Sequence, residues 1–201
     1  MSKMDLKTEY RSLYTASAKT FVTVDVPPLS YLMFDGTGDP KTVPEYAQAV
    51  EGLFSLAYTL KFMSKRGCGR DYVVGPLEGL WRPKDFERRK KDGSWTMMIL
   101  QPDWITQAHL AAAKAEVLMK TGLPGIERVR LATMHEGPCV QILHVGPYDD
   151  EGPVLKDLHE RYLPAHGLRE NGHPHEIYLN NPCQVSPDKL KTILRQPVKP
   201  A

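Results

Sequence analysis

The sequence predicts an α+β fold: two similar strand–helix–strand–strand modules with antiparallel sheets, related by a pseudo-twofold axis with a central cleft. Two observations carry this. The element pattern, read from hydrophobic periodicity and from glycine and proline punctuation, runs strand, strand, helix, strand, strand, then a connecting helix, then the same series again. Short matches also recur between the two series. Leu32-Met33-Phe34-Asp35-Gly36 matches Ile142-Leu143-His144-Val145-Gly146, and Pro76-Leu77-Glu78-Gly79-Leu80 matches Pro174-His175-Glu176-Ile177-Tyr178. Leu100-Gln101-Pro102 matches Arg195-Gln196-Pro197. Self-similarity in a repeated element order marks an internal duplication. Residues 1–19 form an N-terminal extension and 20–201 one domain, with halves at about 20–102 and 126–198 and a connecting helix at about 103–122.

Each element has its local reason. Phe21 to Val24 and Tyr31 to Phe34 are β-rich runs separated by Pro27-Pro28 and closed by Gly36-Thr37-Gly38. Thr42 with Glu45 three residues later reads as a capping box, and Val43, Tyr46, Val50, Leu53, Ala57 and Leu60 keep helical spacing to a stop near Gly67 and Gly69. Tyr72 to Trp81 reads as one strand, Pro83 to Gly93 as a polar loop and Trp95 to Gln101 as another strand. A second helix starts near Thr106 and stops at Gly122. Strands follow at Arg128 to Met134 and Val140 to Val145. A helix then carries Leu155, Leu158 and Tyr162, and the last strands lie at His175 to Leu179 and Leu190 to Val198.

Composition narrows the function. The chain has 201 residues and a formal net charge of +2. It is long enough to bury roughly 70% of its unfolded surface without disulfides or metals. Its balance of charge argues against direct DNA binding driven by phosphate contacts. The one dense basic run, Glu87 to Asp92, is flanked by acids and reads as a solvated loop. Three widely spaced cysteines, no apolar leader and no run long enough for a membrane span point to a cytoplasmic protein. About 20 residues before the first strand leave no room for a helix-turn-helix module. No metal-ligand spacing, nucleophile elbow or phosphate-binding glycine loop occurs, so no cofactor and no metal are expected.

The chemistry is expected in the cleft. Alternate strand residues share a face. Along His173 to Asn180, Ile177 and Leu179 point one way, and Glu176 and Tyr178 the other. The apolar pair belongs against a helix, so Glu176 and Tyr178 are expected to face the cleft. By the same count Tyr72, Val74, Glu78 and Leu80 share a face in the first half, with Trp81 opposite. Phe34, Trp104, Tyr148 and Met98 are further candidates for the lining. A carboxylate among aromatic rings can neutralise an organic cation that the rings hold through their π-faces. Burial also fits such a group for general-base work.

These residues resemble a known family. His144-Val145-Gly146-Pro147-Tyr148 and Gly172-His173-Pro174-His175-Glu176-Ile177-Tyr178-Leu179 resemble motifs of the GyrI-like small-molecule-binding family. So do Asp71-Tyr72-Val73-Val74, Pro76 to Trp81, and Thr96 to Asp103. The resemblance runs from about Thr20 to Val198 and is nearest to the stand-alone branch. It implies two fused SHS2-type modules. It also implies a pocket for planar hydrophobic, often cationic molecules, as in the effector domains of multidrug-responsive activators, with Glu176 at its base. Arg82 departs from the pattern, standing where a second aromatic often follows Trp81, and Cys183 stands where a basic residue is common.

Two functions need the same residues. One is multidrug-type binding by Glu176, Tyr178, Tyr148, Tyr72, Glu78, Trp81, Trp104, Met98 and Phe34. The other, implied by hydrolase relatives, is hydrolysis of the strained cyclopropane of DNA-alkylating natural products, a drug-resistance activity. Glu176 would then be the base, with Tyr72 or Tyr178 steadying the developing charge. Inhibition of DNA gyrase by protein–protein contact, as in another relative, finds no supporting acidic or apolar run. The oligomeric state is left open.

Overall fold

The computed structural model describes residues 3–82 and 93–201. Most of the polar loop after Arg82, with its basic run Glu87 to Asp92, lies outside the described residues. The chain forms two compact units, Met1–Glu9 with Leu29–Met134, and Tyr10–Pro28 with His135–Ala201.

The first unit is built on β3 (Leu29–Thr37), β5 (Leu77–Arg82), β6 (Ser94–Gln101) and β7 (Arg130–Met134), antiparallel in the order β5-β6-β3-β7. A two-stranded parallel pair, β1 (Met4–Asp5) with β4 (Tyr72–Val73), stands apart, and the short α1 (Leu6–Glu9) follows β1. The single strand expected over Tyr72 to Trp81 is therefore two. Pro76 has no N–H to give a ladder, and β4 leaves to pair with β1. The common face expected for Tyr72 and Glu78 is lost at that break.

The 24-residue α2 (Pro44–Gly67) buries Leu53, Ala57 and Leu60 of the predicted stripe, together with Ala49 and Leu56, while Val43, Tyr46 and Val50 are only half-buried. Its start differs. Val43 is the N-cap and no side chain caps it. The Thr42–Glu45 box does not form because Asp39 organises the turn. Its carbonyl accepts the Thr42 and Val43 N–H groups, and its carboxylate the Lys41 N–H. Pro44 needs no cap for its missing N–H. The helix α3 (Gln107–Thr121) starts where predicted, with the Thr106 hydroxyl and the His109 ring capping each other's backbone N–H, and ends on left-handed Gly122.

The second unit repeats the strand order: β10 (His175–Tyr178), β11 (Lys191–Pro200), β8 (Gly137–Val145) and β2 (Val22–Val26), with β9 (Leu168–Glu170) on the far end of β11. The reading along the chain places Val22–Val26 in the first half and Arg130–Met134 in the second. The structure pairs the former with β8 and the latter with β3, so each sheet takes one strand from across that divide. The predicted helix after Tyr148 is composite: a 3-10 turn Tyr148–Asp150, α4 (Gly152–Asp157), a π-helical turn Leu158–Tyr162 and α5 (Leu163–Ala165). Leu155 packs on Ile142 and Leu194, while Leu158 and Leu163 pack on Val140 and Val198.

The ladders also test the sequence matches. Gln101 and Gln196 occupy equivalent positions, and so do Leu32 and Ile142, which lie directly across from the residues two before those glutamines, Ile99 and Leu194. In that register Met98 answers to Ile193. Glu78 lies opposite Met98, and Ile177 lies opposite Ile193. Glu78 is therefore the counterpart of Ile177, not of Glu176. A one-residue slip turns a side chain to the other face of a sheet.

Candidate functional site

Glu176 lies directly opposite Leu194, which lies opposite Ile142, so the three share one face of their sheet. Leu155 of α4 packs on that same pair. Glu176 and Tyr178 share a face as the alternation predicts, but it is the helix-bearing face. The sequence reading assigned the helix to the side of Ile177, but Leu155 packs on the side of Glu176 instead. The Ile177 side is instead taken by polar residues and by the N-terminal segment described below.

Glu176 is 3% exposed and Tyr178 9%. The Tyr178 phenol donates to Glu176 Oε2 at 2.8 Å. The half-buried Tyr148 presents its ring edge-on to Tyr178, centroids 5.4 Å apart and planes at 71°. The sequence His144-Val145-Gly146-Pro147-Tyr148 makes this contact possible. His144 sits in the same cross-strand row as Thr192 and Tyr178, and its Nε2–H donates to the Pro147 carbonyl at 3.0 Å. Gly146 takes φ +138, a backbone that L side chains rarely adopt, and its N–H reaches the Leu190 carbonyl. The strand end is thus folded back over the sheet. A buried carboxylate bonded to one phenol, with a second ring against that phenol, can attract a cation, and a hydrogen-bonded phenol and carboxylate can exchange a proton with a reactant.

On the opposite face lies a buried charge network that the sequence reading missed. His175 Nδ1 stands 3.0 and 3.1 Å from the two Glu136 oxygens, and Arg195 Nη1 donates to Glu136 Oε2 at 3.1 Å. Arg195 also donates to Gln141 Oε1 and to the Leu13 carbonyl, and Gln141 donates to the Ser12 carbonyl. Burial pushes the Glu136 carboxyl up, but His175 and Arg195 outweigh it and hold it down at about 2. Strand parity was the available signal. Arg195 and His175 are direct cross-strand partners on the Ile177 side.

The first-half candidates have separate settings. Tyr72 is fully buried, its phenol donates to Gln101 Oε1 at 3.1 Å, and burial raises its pKa far above the ordinary range. Trp104 meets the Tyr72 ring edge-on at 6.1 Å and donates to Ser64 Oγ of α2. Phe34 stacks on Trp95, which meets Tyr46 of α2, so Phe34 lies on the helix-covered face. Trp81 pairs opposite Trp95 and shares that face. Glu78 and Met98 pair with each other on the other face, and both are buried. The expected common lining of Glu78, Met98, Phe34 and Trp81 is therefore split between two faces. Arg82 donates to Thr96, whose hydroxyl donates to Asp35. Among the described residues no group of His, Cys, Asp and Glu could hold a metal ion, and no helix is long and apolar enough to cross a membrane.

Comparison with known proteins agrees with this architecture. An uncharacterized conserved protein from Listeria innocua is 38% identical, with 98% of this chain and 100% of that one covered and a TM-score of 0.89. A hydrolase from Listeria innocua is 37% identical over 98% of this chain and 100% of its own, with a TM-score of 0.86. The C-terminal domain of EcmrR shares the fold at 12% identity, covering 90% and 98% of the two chains with a TM-score of 0.56. No protein of curated function matches the sequence. The family model for the GyrI-like small molecule binding domain matches residues 20–199, and the chain belongs to that family.

Proposed function

We propose that the protein binds planar, hydrophobic, cationic molecules at Glu176, with Tyr178 and Tyr148 as the ring walls. The observation that supports this most is the buried carboxylate bonded to one phenol, which a second ring covers in turn. Each ring facing a cation adds about 0.5–2 kcal/mol, and the carboxylate supplies the opposite charge. Tyr148 rides on a one-turn 3-10 helix, so its displacement admits the ligand to an otherwise buried acid. The free thiols Cys68, Cys139 and Cys183 suit a reducing, cytoplasmic setting. A thermal-shift series tests the reading. A planar cation present at a hundred times its dissociation constant adds about 2.7 kcal/mol of stability. Equal shifts from cations and from neutral molecules of the same shape would count against it.

A second reading, hydrolysis, is favoured by the phenol–carboxylate pair and by the hydrolase relative from Listeria innocua. Glu176 takes a proton from water and the water oxygen bonds to a cyclopropane carbon. The strained C–C bond breaks, and its electron pair moves into the conjugated carbonyl, which is protonated in turn. Tyr178 donates a hydrogen bond where that charge develops. Chromatography of a cyclopropane-bearing alkylator incubated with the protein would show the ring-opened alcohol, absent with Glu176→Gln.

A further inference from the structure

The second unit holds a concavity of about 500 Å³ between the segment before β2 and the helices that follow Tyr148. Neither Glu176, Tyr178 nor Tyr148 lines it. Its apolar wall is Phe21, Ile142 and Val154, continued by Tyr162 and His166. The rings form a ladder: Phe21 lies 4.7 Å from Tyr162, and Tyr162 stacks on His166 at 4.0 Å with planes 25° apart. Tyr162 closes the π-helical turn Leu158–Tyr162. Such turns cost hydrogen-bond geometry and are frequent at functional sites.

The charges at the rim are unequal. Asp157 accepts two hydrogen bonds from Arg161, at 2.5 and 2.7 Å, so that pair is internally balanced. Lys19 is the remaining lining cation. Its backbone is fixed, since Ser17 Oγ accepts the N–H groups of both Lys19 and Thr20 at 3.0 and 3.2 Å. The Ser17 carbonyl in turn accepts the Leu143 N–H of β8. A ring ladder with one ammonium carried on a fixed backbone is complementary to a flat ring bearing one negative charge. The volume lies within the range of small-molecule sites, about 300–1,000 Å³.

We propose that this cavity binds an aromatic carboxylate, with the ring against Phe21 and Tyr162 and the carboxylate at Lys19. It is distinct from the Glu176 site and opposite to it in charge preference. The test is titration of the full chain with 2-naphthoate, followed by backbone amide NMR. Saturable shifts are expected at 19–21 and 154–166. Lys19→Glu, at an exposed position, weakens binding by about tenfold or more, the scale of one charged contact. Tyr162→Leu weakens 2-naphthoate and the neutral 2-naphthylmethanol alike. Glu176→Gln leaves 2-naphthoate affinity unchanged, which separates this proposal from the preceding one. Non-saturable shifts, equal affinity with Lys19→Glu, or loss of binding with Glu176→Gln would each overturn it.

Discussion

The Tyr178 phenol donates to the Glu176 carboxylate at 2.8 Å from two residues along the same strand. Both side chains stand on the helix-bearing face of the sheet, and the ring of Tyr148 closes over the phenol. Removing the hydroxyl leaves a buried carboxylate short of a donor. Tyr178→Phe should lower stability by about 1–3 kcal/mol in urea denaturation with the slope unchanged. An unchanged midpoint would mean that the bond is replaced by solvent.

The network on the opposite face makes stability depend on acid. The folded-state pKa of Glu136 is depressed from 4.5 to about 2. Its contribution is therefore complete above about pH 4.5 and is lost as the pH falls toward about 2. Denaturation midpoints measured across that window should fall steadily. Glu136→Gln, which leaves Arg195 and His175 without the carboxylate, should cost about 3–5 kcal/mol near neutral pH and flatten the acid limb. An acid limb of the same steepness in the variant would remove Glu136 as its source.

Thiol reactivity should divide the cysteines. Cys68 and Cys183 are exposed, whereas Cys139 is buried. Burial first, and the nearby Glu136 second, push the Cys139 thiol up to about 12. A chromogenic disulfide reagent near neutral pH should titrate Cys68 and Cys183 quickly and Cys139 only after unfolding. Fast reaction of all three would show that the strand carrying Cys139 opens readily.

Gly36 tests how closely the first sheet packs on itself. It lies opposite Trp95, whose ring folds over it, and a Cβ at Gly36 would sit 2.2 Å from the ring. Gly36→Ala should cost about 1–3 kcal/mol and shift the tryptophan fluorescence. A variant as stable as the parent would mean that the indole has another rotamer at no cost.

Much of this was legible in residue order, and the failures have physical causes. Strand alternation put Glu176 and Tyr178 on one face correctly, because period two is a local property. It could not say which face the helix covers, because that depends on Leu155 reaching Ile142 and Leu194. The turn at Gly146 and Pro147 was visible as a motif, but its use in setting Tyr148 over Tyr178 needed the His144 hydrogen bond. Matching Glu78 to Glu176 failed by one residue, and one residue is a whole face. The capping box at Thr42 lost to Asp39, whose turn bonds form closer in the chain. Glu136 stands next to Gly137-Pro138, outside the strands read from the sequence. Its role appears only when β10 and β11 bring His175 and Arg195 to it.

The central claim is that Glu176 is a charge-pairing acid, and one calorimetric comparison tests it most directly. The 10-methylacridinium cation and neutral acridine are nearly equal in shape at about pH 8. With Glu176→Gln the account predicts that the cation loses about tenfold or more in affinity while acridine changes by less than about threefold. Equal losses for the two compounds, or no loss for the cation, would contradict it.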